Sequence, residues 1–298
     1  MKVIMFSGQG AQKVGMGKDF YDSYPICKKT FDEASEAVGF DMAKLCFYEN
    51  DLLNQTEYAQ PALLTVGIAA YRLLLLQEEK PGLLMGLSLG EYTALTAAGV
   101  FDFADAVRLV HKRGNLMMEF AAEGGMMASM GVASSLLEDI CRNAPGFAAC
   151  ANYNTSGQTV LAGEHAALDA CAAEIKKAGG KTIPLKVSGP FHTPLMNKAA
   201  QEFAHELKNI AARHDCEVKV ISNVDAETFD TKNYVDILTK HMTSPVRWVS
   251  CVEKAIAMGA DTFIELGSGN TLVNFVRKID SSGLVKAFAF EAHLSFQA

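Results

Sequence analysis

Residues 83–95 constrain the fold most, because they join an apolar strand to a helix through the motif Gly86-x-Ser88-x-Gly90. A serine held on a tight turn between a strand and a helix is the arrangement of a nucleophile elbow. Both glycines are needed because side chains at these positions would crowd the neighbouring strand and helix. The amide of Leu89, which begins the helix, can face an oxyanion developing beside Ser88. The motif predicts an α/β fold with a nucleophilic serine; a plain glycine-rich loop is the competing interpretation.

The composition is that of a globular enzyme. Of 298 residues, 49% are hydrophobic and 20% are charged, which is enough apolar surface for a large core. A formal net charge of −7 without a long basic run argues against binding to nucleic acid. The seven cysteines include no Cys-x-x-Cys pair, as expected for reduced thiols in the cytoplasm. We therefore expect a cytoplasmic protein with no metal site and no bound cofactor.

The sequence also predicts that the chain does not insert in a membrane. The N-terminus continues directly into a strand and lacks the apolar region and cleavage site of a signal peptide. The most apolar segment, residues 62–76, is interrupted by Arg72 and is predicted to be too short to cross a bilayer. We also expect a monomer.

The order of predicted elements indicates a large domain interrupted by a small one. Strands are expected at 2–6, 218–222 and 262–266, and a buried helix is expected to run from Pro61 to residue 77. Residues 126–187 follow the β-α-β-β-α-β order of a ferredoxin-like sandwich. We therefore expect an α/β protein with a hydrolase-like large domain on a parallel sheet, made of residues 1–123 and 189–298. An inserted ferredoxin-like α+β small domain would occupy residues 124–188.

Helix boundaries elsewhere are predicted from capping residues. Ser134 is expected to cap a helix over 134–143, and Thr193 a helix that starts at Pro194 and ends near residue 212. Pro245 is expected to open a helix that runs to residue 258, and the last element is expected to be a helix over 272–278.

A serine hydroxyl needs a base within hydrogen-bond reach before it becomes a good nucleophile. His192 is the candidate, because it lies on a rigid loop between Pro190 and Pro194, just before a helix N-terminus whose positive end favours the neutral imidazole. A histidine that only caps the turn is the alternative. No acidic partner is evident, so we expect a Ser–His dyad oriented by a backbone carbonyl. The other histidines are expected to be solvated or, in the last case, to lie in a frayed tail: His111, His165, His205, His214, His241 and His293.

Five motifs resemble those of a known family in order and spacing. They are Gly8-Gln9-Gly10-Ala11-Gln12, Gly86-Leu87-Ser88-Leu89-Gly90-Glu91-Tyr92, Arg113-Gly114, Gly189-Pro190-Phe191-His192 and Ser244-Pro245-Val246-Arg247-Trp248. Together they are similar to the malonyl-CoA:acyl carrier protein transacylases of type II fatty acid synthesis, and the resemblance covers nearly the whole chain.

The resemblance implies a ping-pong acyl transfer. Ser88 would attack the thioester of malonyl-CoA with His192 as base. The phosphopantetheine thiol of holo-acyl carrier protein would then take the malonyl group from the serine. The backbone amides of Gln9 and Leu89 would form the oxyanion hole, and Arg113 would hold the malonyl carboxylate. A guanidinium suits bidentate binding of a carboxylate better than an ammonium does; without the family, Arg113 would be taken for a solvated charge.

Two positions differ from the usual family pattern. Leu87 replaces the histidine that usually precedes the nucleophile, which removes any contact made by that imidazole. Arg247 stands where some members have glutamine, and the resemblance implies that its backbone carbonyl orients His192.

The sequence leaves alternatives for the function. A free-standing acyltransferase that loads a polyketide synthase carrier would use the same chemistry. A serine thioesterase or hydrolase would release the acyl group to water and would leave Arg113 without a role. A carrier-binding module without catalysis would need neither Ser88 nor His192.

Overall fold

The computed structural model describes residues 1–76 and 80–290, and these form two interlocked units. The first part of the chain contains β1 (Lys2–Phe6), α1 (Lys18–Ser23), α2 (Pro25–Val38), α3 (Met42–Phe47), α4 (Thr56–Leu76), β2 (Leu83–Gly86), α5 (Leu89–Ala97) and α6 (Phe103–Glu119). The middle part contains β3 (Gly125–Met130), α7 (Ser134–Arg142), β4 (Ala148–Thr155), β5 (Gln158–Gly163), α8 (His165–Lys177) and β6 (Lys181–Pro184). The last part contains α9 (Asn197–Lys208), β7 (Lys219–Val220), α10 (Tyr234–Thr243), α11 (Trp248–Ala257), β8 (Thr262–Leu266), α12 (Thr271–Ile279) and β9 (Lys286–Ala289).

The larger unit is built on a parallel sheet, as predicted. In the described residues its strand order is β7-β2-β1-β8-β9, and every adjacent pair is parallel. The central strand β1 is a continuous apolar run from Val3 to Phe6, and all four of these residues are buried. Such a run is typical of a parallel strand covered on both faces. The elbow strand β2 lies beside it, so the serine that follows β2 is at the carboxyl edge of the sheet.

The smaller unit has the predicted element order and forms an antiparallel sheet. Within the fully described residues 125–184, the strand order is β4-β5-β3-β6. Alternate residues of β3 face opposite sides, as the pleat requires. Met127 packs in the small unit's own core with Leu137 of α7, whereas Met126 and Ala128 join the core of the larger unit. The sheet is therefore shared between two cores, which fixes the two units against each other.

The buried helix α4 is longer than predicted. It starts at Thr56 and contains Pro61 in its interior; the predicted end at residue 77 lies outside the described residues. Proline has no N–H and deprives the carbonyl four residues earlier of its donor. That carbonyl, of Glu57, instead lies 2.8 Å from Nδ1 of His111 on α6. A hydrogen bond from another helix thus replaces the one that Pro61 removes, so His111 has a structural partner.

Helix α4 also corrects the expectation that this apolar segment is too short to cross a bilayer. In the described part of the chain it is the one helix long and apolar enough to cross a membrane, with 21 residues and a mean hydropathy of 1.5. However, 83% of that window is buried inside the protein. Its sides are covered by α2, α5 and α6, as in the core helix of a globular fold.

One predicted helix cap is wrong, and a second is confirmed in its position but not in its hydrogen bond. The N-cap of α7 is Ala133, and Ser134 is the first helical residue; its hydroxyl lies 3.0 Å from that of Thr159. Thr193 is the N-cap residue before Pro194, as predicted, but its hydroxyl donates to the carbonyl of Pro190 at 2.7 Å and accepts no bond from the turn that follows. A short 3₁₀ turn, Pro194–Met196, follows it, and α9 ends at residue 208 rather than near 212.

Tertiary contacts also change the last part of the chain. Val246 accepts a hydrogen bond from Tyr153 and donates one to Ala151, both residues of β4. These bonds keep the chain around Val246 extended, so α11 begins at Trp248 and not at Pro245. The strand β9 was not predicted.

Candidate active site

The elbow has the strained geometry that its sequence predicts. Ser88 lies between β2 and α5 with φ 54° and ψ −104°, a conformation that non-glycine residues rarely adopt. A Cβ at Gly86 would lie 2.0 Å from the backbone of Gly90, and a Cβ at Gly90 would lie 2.0 Å from the carbonyl oxygen of Phe6. Both positions therefore exclude any side chain, and strand and helix pack directly against the turn.

The structure brings His192 to Ser88. Their Oγ and Nε2 atoms are 2.7 Å apart, although 104 residues separate them in the chain. The imidazole is 5% exposed. Its Nδ1 lies 3.0 Å from the carbonyl oxygen of His241, which can only accept a hydrogen bond. Nδ1 therefore carries the proton, and Nε2 presents its lone pair to the serine hydroxyl.

This contact corrects the expectation for Arg247. The carbonyl that orients His192 belongs to His241 on α10, whereas the carbonyl of Arg247 accepts from Cys251 in the first turn of α11. Arg247 is the N-cap of that helix, so its carbonyl is already directed along the helix.

His241 itself is not the solvated residue that the sequence predicted. It is fully buried, and its ring centroid lies 5.3 Å from that of His192. Burial, then the neighbouring His192, then Arg113 hold the pKa of His241 well below its usual range. The predicted position of His293 lies outside the described residues.

Burial and, after it, the charge of Arg113 lower the pKa of His192 to about 4. Hydrogen bonds to backbone carbonyls oppose this shift. The imidazole is therefore neutral near pH 7, and a neutral imidazole is the form that can accept the serine proton.

Arg113 is buried beside the dyad and is not a solvated charge. It is 1% exposed, its NH1 group donates to Oε1 of Gln60 at 2.7 Å, and its guanidinium lies 4.9 Å from the ring centroid of Tyr92. Its Nε and NH2 atoms have no hydrogen-bond partner among the described residues. Buried donors are rarely left unpaired in a folded protein. Arg113 thus has two nitrogens whose N–H groups are available for a ligand.

The adjacent Gly114 explains why the arginine is so deep. A Cβ at Gly114 would lie 2.5 Å from the Cα atom of Glu57. Glycine lets α6 approach the first turn of α4, and this approach places Arg113 against Gln60 of the same helix.

The loop after β1 lies against the elbow. A Cβ at Gly8 would lie 2.4 Å from the carbonyl oxygen of Leu87, so only glycine permits this approach. The next residue, Gln9, is anchored by its side chain, which donates to the hydroxyl of Thr56 at 3.1 Å. Leu89 is the first residue of α5, where an amide has no acceptor within the helix.

A cavity of about 570 Å³ opens onto Ser88 and His192 between the two units. Gln9 and Leu87 line it from the larger unit. Polar side chains of β4 and β5 line it from the smaller unit, and the exposed Lys186, which follows β6, also lines it. The cavity is large enough for a flexible, partly polar ligand arm.

Asn223, which was not among the residues predicted for the site, is fully buried. Its Oδ1 accepts from the amide of Ser88 at 2.7 Å, and its Nδ2 donates to the carbonyl of Gly86 at 2.8 Å. One signal could have found it: Asn223 follows a predicted strand, and the carboxyl ends of parallel strands meet at one edge of the sheet.

A serine and a neutral histidine at a cavity, next to a buried arginine with free donors, define a class of α/β enzyme that handles acyl groups. The sequence profile of the acyl transferase domain matches residues 3–284. The chain is 40% identical over 284 residues to the malonyl CoA-acyl carrier protein transacylase of Escherichia coli (strain K12), covering 93% of this chain and 92% of that protein. The chain belongs to the malonyl CoA-acyl carrier protein transacylase family, as the motifs predicted.

Solved structures agree with the sequence comparison. The malonyl CoA-acyl carrier protein transacylase of Clostridium perfringens superimposes with a TM-score of 0.94 at 39% identity, over 99% of this chain and 96% of that chain. A malonyl-transacylase solved in complex with its type II polyketide synthase acyl-carrier protein gives 0.93 at 34% identity, over 97% and 95%.

Proposed function

We propose that this protein transfers the malonyl group of malonyl-CoA to the phosphopantetheine thiol of acyl carrier protein, and so supplies fatty acid synthesis. One observation carries the proposal: the buried guanidinium of Arg113 keeps two nitrogens without a hydrogen-bond partner among the described residues, and its charge acts on His192, whose Nε2 is 2.7 Å from the hydroxyl of Ser88. A carboxylate on the acyl group would pair with these donors, and the family relationship supports malonyl as that group.

In the first half-reaction, Oγ of Ser88 attacks the thioester carbonyl while Nε2 of His192 takes the hydroxyl proton. The negative oxygen of the tetrahedral intermediate is stabilised by the amides of Gln9 and Leu89. Its collapse breaks the carbon–sulfur bond, and the departing CoA thiolate takes the proton from the imidazolium. The product is a malonyl ester of Ser88.

The second half-reaction runs through the same groups in reverse. The carrier's phosphopantetheine thiol gives its proton to His192 and attacks the ester carbonyl. Ser88 then leaves and recovers the proton, and no bound cofactor takes part. Throughout, the carbonyl of His241 keeps Nδ1 of the imidazole protonated, so Nε2 stays available for proton transfer.

These roles would be divided between two domains. We propose a hydrolase-like large domain formed by residues 1–123 and 189–298, and a ferredoxin-like small domain at 124–188. The parallel order β7-β2-β1-β8-β9 supports the first assignment, and the antiparallel order β4-β5-β3-β6 with two helices supports the second. The cavity between them would admit the pantetheine arms of both substrates.

Acyl carrier protein is the partner of this reaction, and a relative has been solved bound to its carrier. Lys186 at the cavity lining offers a positive charge to the phosphate that both pantetheine arms carry. We place the enzyme in the cytoplasm, where the seven free thiols, all within the described residues, would stay reduced.

Malonylation of Ser88 is the direct test. Intact-protein mass spectrometry after mixing with malonyl-CoA should show one malonyl adduct, which Ser88→Ala should lack. Holo-carrier protein should remove the adduct faster than water does; removal by water alone at the same rate would favour a thioesterase. A panel of fatty acid and type II polyketide carriers would separate the two carrier assignments, because the relative bound to a polyketide carrier keeps that alternative open.

A further inference from the structure

The elbow strand β2 loses its neighbour just before the nucleophile. β7 pairs with Leu83 and Leu84, and the amide of Ile221 still donates to the carbonyl of Leu84 at 3.1 Å. After Ile221 the chain turns back, and Ile221 bridges to Thr228. The last peptide groups of β2 and of the elbow are therefore left without a backbone partner on that side.

The side chain of Asn223 takes the place of the missing strand. Its amide donates to the carbonyl of Gly86 at 2.8 Å and accepts from the N–H of Ser88 at 2.7 Å. The side-chain amide thus presents a donor and an acceptor next to each other, as the backbone N–H and C=O groups of a neighbouring parallel strand would. A side chain can do this where the chain bends to the unusual φ and ψ of Ser88, because it does not have to follow the backbone around the turn.

Asn223 is itself held from two directions. Its backbone N–H donates to Oε2 of Glu91 on α5 at 2.7 Å, and its carbonyl accepts from the N–H of Arg247 at 3.0 Å. The residue has no exposed surface. Backbone bonds at both sides fix where its side-chain amide lies relative to Gly86 and Ser88.

We infer that Asn223 is a positioning residue for the nucleophile. It fixes the two peptide groups that flank Leu87, and these determine the direction of the Ser88 hydroxyl towards His192. They also set the start of α5, where the Leu89 amide lies. The effect on malonyl transfer rests on the proposed function, whereas the effect on serine reactivity does not.

Asn223→Ala removes both side-chain hydrogen bonds and provides the test. Single-turnover malonylation of Ser88, followed by rapid quench and mass spectrometry, should slow by about 10- to 100-fold, the effect of losing about one to two ordinary hydrogen bonds from the aligned state. KM for malonyl-CoA should stay within about twofold, because the residue does not line the cavity. Labelling by phenylmethylsulfonyl fluoride should slow by a similar factor.

Asn223→Asp is the conservative variant. One carboxyl oxygen keeps the acceptor for the Ser88 amide, and the other, protonated in this fully buried position, donates to the carbonyl of Gly86, so this variant should retain more activity than Asn223→Ala. Ser222→Ala is the matched control from the same turn, because the Ser222 hydroxyl accepts from the amide of Val224 at 3.2 Å and makes no contact with the elbow among the described hydrogen bonds. It should lower the melting temperature without changing either rate.

Three results would overturn the inference. The first is wild-type reactivity of folded Asn223→Ala towards both reagents, and the second is a loss confined to KM. The third is failure of both Asn223 variants to fold, which would make the residue a general structural element. If the wild-type protein reacts with phenylmethylsulfonyl fluoride but not with malonyl-CoA, the proposed function fails, while the sulfonyl fluoride rates still test the inference.

Discussion

Replacing Arg113 by methionine tests how the site selects its acyl group. Methionine keeps much of the volume of the buried side chain but removes the charge and every N–H donor. In the wild-type protein the Nε and NH2 atoms have no partner among the described residues, so an acyl carboxylate would gain two charge-assisted hydrogen bonds. An acetyl group would gain none, and the perturbation should therefore affect malonyl transfer selectively.

The magnitude follows from these two bonds. Hydrogen bonds to a charged group contribute about 1.5–3 kcal/mol each, and part of this is offset by removing the carboxylate from water. A net loss of about 2–4 kcal/mol corresponds to a decrease of about 30- to 1,000-fold in kcat/KM for malonyl-CoA. For acetyl-CoA, kcat/KM should change by less than about fivefold, because the acetyl group loses no hydrogen bond and only small changes in packing remain.

The assay measures acyl transfer to holo-carrier protein from both thioesters. Arg108→Met is the matched control, because Arg108 lies on the same helix but is exposed and paired with Asp105. Its kcat/KM values should match those of the wild-type protein. Equal losses for malonyl and acetyl transfer in Arg113→Met, in protein that melts normally, would refute the carboxylate clamp.

Three further predictions follow from the buried groups. Because the pKa of His192 is lowered to about 4 from 6.5, the acid limb of acylation should lie near pH 4; a limb near pH 6.5 would contradict the neutral buried base. Burial raises the pKa of Glu91 to about 8 from 4.5. Between these two pH values the folded state keeps a proton that the unfolded state releases, so the free energy of unfolding should fall as pH rises from about 4.5 to about 8. Glu91→Gln should flatten that decline in thermal melting, and parallel curves for the two proteins would exclude the carboxyl as its cause. Gly90→Ala should abolish acylation of Ser88, since its Cβ would lie 2.0 Å from a backbone oxygen of β1, whereas Gly157→Ala, with no atom within 4 Å, should react normally.

The parts of the site that could be predicted from sequence are those made by neighbouring residues. An apolar strand, two glycines around a serine and a helix are all local, and the elbow they form is present around Ser88. The proline-framed loop of His192 is local too, although its approach to the serine depends on the fold. The parallel sheet and the β-α-β-β-α-β segment were predictable because periodicity and element order carry that information.

Family position pointed to Arg113, but its burial could not be read from the chain. Arg113 follows Lys112 on a helix with several charges, a pattern typical of a solvated face. It is only 1% exposed because α6 approaches α4 closely at Gly114. The helix start at Pro61 was wrong for a similar reason. The bond that compensates for the proline comes from His111, on another helix.

Tertiary structure alone determines which carbonyl orients His192 and which side-chain amide holds the backbone at Ser88. His241 is 49 residues from His192, and Asn223 is 135 residues from Ser88. Either contact requires helices and strands to pack first, and no local pattern marks a backbone carbonyl or a side-chain amide as part of a site. The sequence by itself thus determined the nucleophile and its turn, because their geometry is set by adjacent residues. The tertiary structure determined what orients the nucleophile and its base, because those partners meet only when distant segments are packed together.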